Sequence, residues 1–182
     1  MSYARVIDQL ALDDVVVVGN SIGGWVAAEL ALLHPHGLSH LILIDAVGID
    51  VPGHPVTDVS GMAVPQIMQL SFYDPQPFLR NPASLSAEEQ ATLAANQTAL
   101  QTYAPTMTDH TLSPRLATLA LPTLVLWGDS DGIVGVEYGR AYAEAIPGAR
   151  FIMLPDTGHM PQLETPEQTI EAIRAELLDA VS

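Results

Sequence analysis

The sequence contains no cysteine, and none of its 182 residues is a lysine. Without cysteine, the chain has no disulfide, no thiolate nucleophile and no thiolate metal ligand. Without lysine, it has no Schiff-base chemistry, no covalently attached pyridoxal phosphate and no Walker-type phosphate lysine. Acid-base and nucleophilic chemistry must therefore come from serine, threonine, tyrosine, histidine and the carboxylates.

Positive charge and long hydrophobic runs are also scarce. Six arginines stand against 21 acidic residues, and the net charge is −15, so no basic stripe is available to follow the phosphates of a nucleic acid. No apolar run reaches the roughly 18 residues that a membrane span needs, and the first residues lack the basic start and apolar core of a signal peptide. We therefore expect a cytoplasmic protein whose partners include neither nucleic acid nor a membrane.

One stretch, Val15-Val-Val-Val-Gly-Asn-Ser-Ile-Gly-Gly-Trp25, organises the rest of the chain. Four consecutive valines suit a strand covered on both faces, as in a parallel sheet. Gly19, Ser21 and Gly23 then form the pattern G-x-S-x-G, in which small residues allow a strained turn that exposes the serine hydroxyl. An ordinary strand-to-helix turn remains the alternative interpretation of this motif taken alone.

The remaining patterns predict an α/β protein. A short amphipathic helix precedes the valine strand, and residues 40–45 form the next buried strand, so a parallel βαβ unit results. Residues 52–115 are rich in proline and predict an inserted helical lid, with a capping box at Ser86-Ala-Glu-Glu89. Two further strands, near residues 122–129 and 150–155, and a last helix from Pro166 complete the order. The predicted domains are thus a core of 1–51 and 116–182 and a lid of 52–115.

A serine hydroxyl needs a base to take its proton and a third group to orient that base. Asp131 and His159 each lie just beyond the carboxyl end of a predicted strand, and in an open parallel sheet these ends share one rim. We therefore expect Ser21, Asp131 and His159 to converge. Asp129 is the alternative acid, and Asp45, at the end of the second strand, is a less favoured one.

These segments resemble the α/β-hydrolase fold superfamily, in particular its lidded serine esterase and carbon-carbon-bond hydrolase branch. The resemblance rests on Gly19-Asn-Ser-Ile-Gly-Gly24, Trp127-Gly-Asp-Ser-Asp131 and Thr157-Gly-His159, and on the order serine, aspartate, histidine. It implies that Asp131 is the triad acid and that the backbone amide of Ile22 is an oxyanion donor. It implies no metal and no cofactor. We expect substrate contacts from four residues near the triad: Asn20, Trp25, Val134 and Met160.

Relative to that family the chain begins at the helix before the valine strand, so the resemblance implies an N-terminally truncated sheet of about four strands. The loop that supplies the second oxyanion donor then has no counterpart. The loss of one such donor typically costs about 3 kcal/mol in the transition state, or roughly a hundredfold in rate. We therefore expect a weak enzyme.

The same truncation would leave the valine strand with a flat, apolar, unpaired edge, and such edges pair with other chains. We expect a homodimer in which these strands, or the surfaces beside them, meet across a two-fold axis.

The function that these observations predict is hydrolysis of a small carboxylic ester through a Ser-His-Asp triad and an acyl-enzyme. The resemblance also allows a carbon-carbon-bond hydrolase. The alternative from a different class is a non-catalytic or remnant hydrolase fold that serves as a binding or interaction module.

Overall fold

The computed structural model describes residues 3–33, 36–79 and 84–179, and the structural statements below refer to these residues. The strands are β1 (Val15–Asn20), β2 (Leu38–Ile44), β3 (Thr123–Gly128) and β4 (Arg150–Leu154). The helices are α1 (Tyr3–Gln9), α2 (Ile22–Leu32), α3 (Val64–Ser71), the short 3₁₀ helix η1 (Gln76–Phe78), α4 (Ala87–Tyr103), α5 (Leu112–Leu116), α6 (Val136–Glu144), α7 (Pro161–Glu164) and α8 (Pro166–Asp179).

The four strands form one parallel sheet in the order β1-β2-β3-β4. Asn20 pairs with Ile44 at the carboxyl ends of β1 and β2, and Gly128 pairs with Leu154 at the ends of β3 and β4. All four strands therefore end at one rim. The predicted α/β class with about four parallel strands is confirmed.

Alternate residues of the central strands face two separate hydrophobic layers, as the two-residue period of a strand requires. Leu41, Leu43 and Trp127 belong to the main core beneath α2 and α6, together with Tyr138 and Tyr142. On the opposite face, a smaller layer consists of Ile42, Ile44, Leu124 and Leu126, against which Ala172 and Ile173 of α8 pack. The short apolar runs of β2 and β3 are thus explained by burial on both faces.

The valine strand differs from this pattern. Val18 is 51% exposed, and the other three valines are only partly buried. The expectation that β1 is covered on both faces is therefore wrong. The physical reason is its position at the edge of the sheet, where helices cover less of it than they cover of β2 and β3.

The segment between β2 and β3 carries α3, η1, α4 and α5. The predicted capping box is confirmed, because Ser86 Oγ accepts from the Glu89 N–H at 3.2 Å and Glu89 Oε2 accepts from the Ser86 N–H at 2.8 Å. No residue of α4 is buried. In contrast, Leu112 and Leu116 of α5 are fully buried in the main core. The last part of the predicted lid therefore packs with the sheet.

Two observations bear on the expected partners. In the part of the chain that the structure describes, no helix is both long enough and apolar enough to cross a membrane. β1 is an edge strand, as the homodimer prediction requires. The dimer itself stays a prediction.

Candidate active site

Ser21 lies in a strained turn between β1 and α2. Its backbone has φ 54° and ψ −121°, a conformation that non-glycine residues rarely adopt. A Cβ on Gly19 would lie 2.2 Å from the carbonyl oxygen of Gly23, and one on Gly24 would lie 2.4 Å from the Cβ of Ala46. A Cβ on Gly23 would meet no atom of the described residues within 4 Å. The turn is therefore made possible by glycines at 19 and 24, whereas steric contact does not require one at 23.

Ser21, His159 and Asp131 form a continuous chain of hydrogen bonds. His159 Nε2 lies 2.8 Å from Ser21 Oγ, and His159 Nδ1 lies 2.7 Å from Asp131 Oδ2. His159 and Asp131 are each 7% exposed. The three residues follow β1, β3 and β4, so the shared rim of the parallel sheet brings together side chains separated by up to 138 positions. The predicted convergence of the three side chains is observed.

The loop after β3 orients the Asp131 carboxylate. Its Oδ1 accepts from the backbone N–H groups of Ile133 at 2.7 Å and Val134 at 2.9 Å, which leaves Oδ2 for His159. Asp129, the alternative acid, is exposed and accepts instead from Ser130 Oγ at 2.8 Å. Of the two candidates, the structure places Asp131 against the imidazole.

The end of α3 holds both the loop that carries His159 and the loop that carries Asp131. The N–H of His159 donates to the carbonyl oxygen of Ser71 at 2.7 Å, and the N–H of Gly132 donates to that of Leu70 at 2.9 Å. Contact is close, because a Cβ on Gly158 would lie 2.5 Å from the Ser71 oxygen. This support was missed by the sequence analysis, since a backbone carbonyl carries no residue-type signal.

The side chains of Asn20 and Glu164 complete the attachment of the His159 loop. Glu164 accepts from the N–H of Gly158 at 2.6 Å and, through its other oxygen, from the N–H of Asp74 at 2.9 Å. Asn20 donates to the carbonyl oxygens of Ile44 at 3.2 Å and His159 at 3.1 Å. The roles of Asn20 and Glu164 in this geometry are thus to join β1, β2 and the segment 73–74 to the histidine loop.

The other residues that we expect to contact substrate lie in different environments. Trp25 is partly buried and packs against the main core near Gly48. Val134 is fully buried, and what it supplies to the site is its N–H to Asp131. Met160 is partly buried beside His159, and Gln162 donates both to its sulfur at 3.8 Å and to Asn20 Oδ1 at 3.3 Å. Their contact with substrate stays a prediction.

Ile22 is the first residue of α2. The N–H groups of a helix's first turn have no acceptor within the helix, and the positive end of the helix dipole favours an anion there. We expect the Ile22 amide to bind a negative oxygen that develops on a group attached to Ser21 Oγ, and this role stays a prediction.

Asp45, directly after β2, is a buried carboxyl group beside the triad. It is fully buried, and its Oδ1 accepts from the N–H of Gly128 at 2.9 Å. Burial raises the pKa of Asp45 well above its usual range, and the negative charge of Asp131 raises it further. One polar atom of each of Asp45, Asp131 and His159 lies within 4.8 Å of the others. Because His159 Nδ1 and both Asp131 oxygens already have hydrogen-bond partners, we interpret this cluster as a hydrogen-bonded network and infer no metal or cofactor from it.

Comparisons with known proteins agree with this architecture. The sequence model described as the "Alpha/beta hydrolase family" matches residues 2–172. "Lipase 3" of Moraxella sp. (strain TA144) is 26% identical over 172 residues, which cover 87% of this chain and 54% of the lipase. "2-hydroxymuconate semialdehyde hydrolase" of Pseudomonas putida is 26% identical over an alignment of 192 residues. That alignment covers 96% of this chain and 66% of that protein. The chain thus spans between half and two thirds of the length of these two curated relatives.

Among solved structures, a thermophilic esterase from Thermogutta terrifontis with malate bound matches with a TM-score of 0.70 and 29% identity. The match covers 97% of this chain and 69% of the esterase. The parallel sheet, the strained Ser21 turn and the chain order serine, aspartate, histidine agree with this family. Since the family model covers nearly the whole chain, the chain is a member of the alpha/beta hydrolase family.

Proposed function

We propose that the protein is a serine hydrolase that cleaves small carboxylic esters through an acyl-enzyme. The observation that carries this proposal is the continuous line of hydrogen bonds from Ser21 Oγ through both nitrogens of His159 to Asp131, with distances of 2.8 and 2.7 Å. A nucleophile in contact with a base, and a base in contact with an orienting acid, is the geometry that activated-serine chemistry requires. The strained backbone of Ser21 supports the same role.

Each group has one task in the proposed reaction. Ser21 Oγ attacks the acyl carbon while His159 Nε2 takes the hydroxyl proton, and His159 then gives that proton to the departing alcohol. His159 then takes a proton from a water molecule, whose oxygen attacks the acyl carbon. The bond between that carbon and Ser21 Oγ breaks, His159 returns the proton to Ser21 Oγ, and the carboxylic acid is released. Asp131 accepts from the Nδ1–H throughout and stabilises the imidazolium, while the Ile22 N–H donates to the oxyanion.

Ile22 is the one oxyanion donor that we assign. Removal of one oxyanion donor typically lowers the rate of acyl transfer by roughly a hundredfold. The α/β-hydrolase relatives with lipase or esterase in their names support ester chemistry at 26% and 29% identity.

Carbon-carbon-bond hydrolysis is the second candidate. It is favoured by the match to 2-hydroxymuconate semialdehyde hydrolase at 26% identity, of which the chain covers a larger share than it covers of the lipase. Both reactions use the same three side chains, so substrate comparison is the discriminating test. If kcat/KM is higher for a vinylogous diketone than for p-nitrophenyl acetate, the ester proposal is wrong and carbon-carbon-bond hydrolysis takes its place.

The test of the ester proposal is release of p-nitrophenol from p-nitrophenyl acetate and butyrate by the purified protein. We expect turnover that disappears in Ser21→Ala and persists in Ser60→Ala, because Ser60 is an exposed serine outside the site. Circular dichroism of both variants checks that the fold is retained. Equal background rates in all three proteins, with the fold intact, would overturn the proposal and favour a non-catalytic binding module.

A further inference from the structure

The carboxyl group of Asp45 lies next to that of Asp131, and the reaction proposed above does not use it. Its side chain is fully buried, and only one of its two oxygens has a donor: Oδ1 accepts from Gly128, whereas Oδ2 is buried and has no hydrogen-bond partner in the described part of the chain. The backbone of Asp45 is also fixed in the left-handed region, with φ 44°. A buried acceptor without a donor is unfavourable, whereas a protonated carboxyl oxygen becomes a donor itself.

An acceptor for that proton lies next to Asp45. Three N–H groups already donate to the Asp131 carboxylate: Ile133, Val134 and His159 Nδ1. An ionised carboxylate has about four lone-pair sites, so about one site is left. One carboxyl oxygen of Asp45 lies within 4.8 Å of one carboxyl oxygen of Asp131. A hydrogen bond to the Asp131 side chain is also among the causes that raise the pKa of Asp45.

We propose that Asp45 is a protonated carboxylic acid whose Oδ2–H donates to Asp131, and that it is a positioning residue that fixes the triad carboxylate against His159. This inference rests on the proposed hydrolase function. With Gly128 on one oxygen and Asp131 on the other, Asp45 links the carboxyl ends of β2 and β3 to the acid loop. Each of the two Asp45 oxygens then has a hydrogen-bond partner.

The charges around Asp45 agree with a neutral carboxyl. The titratable groups that face it are the carboxylate of Asp131 from the loop after β3, that of Glu164 from α7, and the imidazole of His159 from the loop after β4. Both carboxylates disfavour a further negative charge, and His159 already pairs with Asp131. Burial acts in the same direction and is the largest cause of the raised pKa of Asp45.

Two variants separate this role from alternatives. Asp45→Asn keeps an acceptor for Gly128 and supplies an N–H to Asp131, and asparagine tolerates the left-handed backbone. We expect it to keep kcat within about threefold and to leave the acidic limb of the kcat/KM pH profile in place. Asp45→Gly keeps the backbone conformation but removes the donor. Its kcat should fall by about tenfold to a hundredfold, and its acidic limb should move to higher pH, because Asp131 without this donor holds the His159 proton more strongly.

The matched control is Asp14→Gly. Asp14 is exposed and has a left-handed backbone with φ 56°, so the same chemical change is made far from the triad. We expect activity and pH profile to be unchanged in this variant. Loss of activity in Asp45→Gly without a shift of the acidic limb would mean a merely structural role and would overturn the positioning proposal.

A direct measurement keeps the test independent of esterase activity. Infrared spectra of the protein and of Asp45→Asn at about pH 8, well above the ordinary pKa of an aspartic acid, should differ by one carbonyl band of a protonated carboxylic acid. The absence of that band would overturn the proposal. A second contrary result would be that, in Asp45→Asn, the acidic limb or the His159 NMR titration moves down by about one pH unit. Such a shift would mean that Asp45 is ionised in the native protein. If the protein hydrolyses no ester, the infrared and NMR results still decide the state of Asp45.

Discussion

The glycines of the Ser21 turn differ in what a methyl group would meet, and this difference gives the sharpest prediction. A Cβ on Gly19 would lie 2.2 Å from the carbonyl oxygen of Gly23, more than 1 Å inside the 3.4 Å at which ordinary contact begins. The contacted oxygen is a backbone atom, and the added Cβ is bonded directly to the Cα of residue 19, so neither can rotate away and β1 and the start of α2 would have to separate. In the part of the chain that the structure describes, no atom lies within 4 Å of a Cβ on Gly23.

We therefore expect opposite outcomes for two chemically identical substitutions. Gly19→Ala should displace Ser21 by about 1 Å, and a displacement of that size can lower kcat by roughly a hundredfold. Gly23→Ala should keep activity and raise the free energy of unfolding by up to about 1 kcal/mol, since alanine is the better helix former in α2. For a chain of this length, that gain corresponds to about 2–4 °C in Tm.

The assays are p-nitrophenyl acetate hydrolysis and thermal unfolding followed by circular dichroism. The reasoning would be refuted if Gly19→Ala were as active as Gly23→Ala, or if Gly23→Ala were the more damaging change. The comparison is well controlled because both glycines belong to the same G-x-S-x-G motif and each gains one methyl group.

Three further outcomes are expected. Gly158→Ala should lower kcat by up to roughly a hundredfold, because its Cβ would lie 2.5 Å from the Ser71 oxygen that accepts from the His159 N–H. The control is Gly135→Ala, whose Cβ meets no atom of the described residues within 4 Å, and its kcat should be unchanged. Asp45→Asn should become more stable relative to the native protein as pH rises. Burial raises the pKa of Asp45 above its unfolded value of 3.8, so the free energy of unfolding of the native protein falls from that pH upward, by up to about 1.4 kcal/mol per pH unit. Urea unfolding of both proteins at several pH values measures the difference. Light scattering at micromolar concentration should show a dimer that Val18→Lys converts to a monomer, because Val18 lies on the edge strand and is 51% exposed; a native monomer would contradict the dimer prediction.

The sequence supported the fold and the three triad candidates because their signals are local. The valine run, G-x-S-x-G and the small residues of α2 lie within about eighteen consecutive positions, and each signal reflects a short-range requirement of strand, turn or helix. The rule that parallel strands end at one rim then sufficed to bring His159 and Ser21 together across 138 positions. Local propensity and one topological rule thus determined the element order and the candidate nucleophile and base.

Other features depended on contacts that no local pattern encodes. Asp129 and Asp131 lie two residues apart at the end of the same strand, and only the path of the loop turns Asp131 towards His159 and leaves Asp129 exposed. The sequence offers Asp45 only as a less favoured alternative acid at the end of a strand. Its full burial and its place next to Asp131 depend on the sheet.

The sequence by itself therefore determined the α/β class, the strained serine turn and the order of the triad candidates, because strand, turn and helix preferences act between neighbours in the chain. Tertiary structure alone decided which acid meets the base, which carbonyl of α3 holds the histidine loop, and how far β1 is exposed. Each of these depends on where distant segments stop relative to one another, and a shift of one residue in strand or loop would change it.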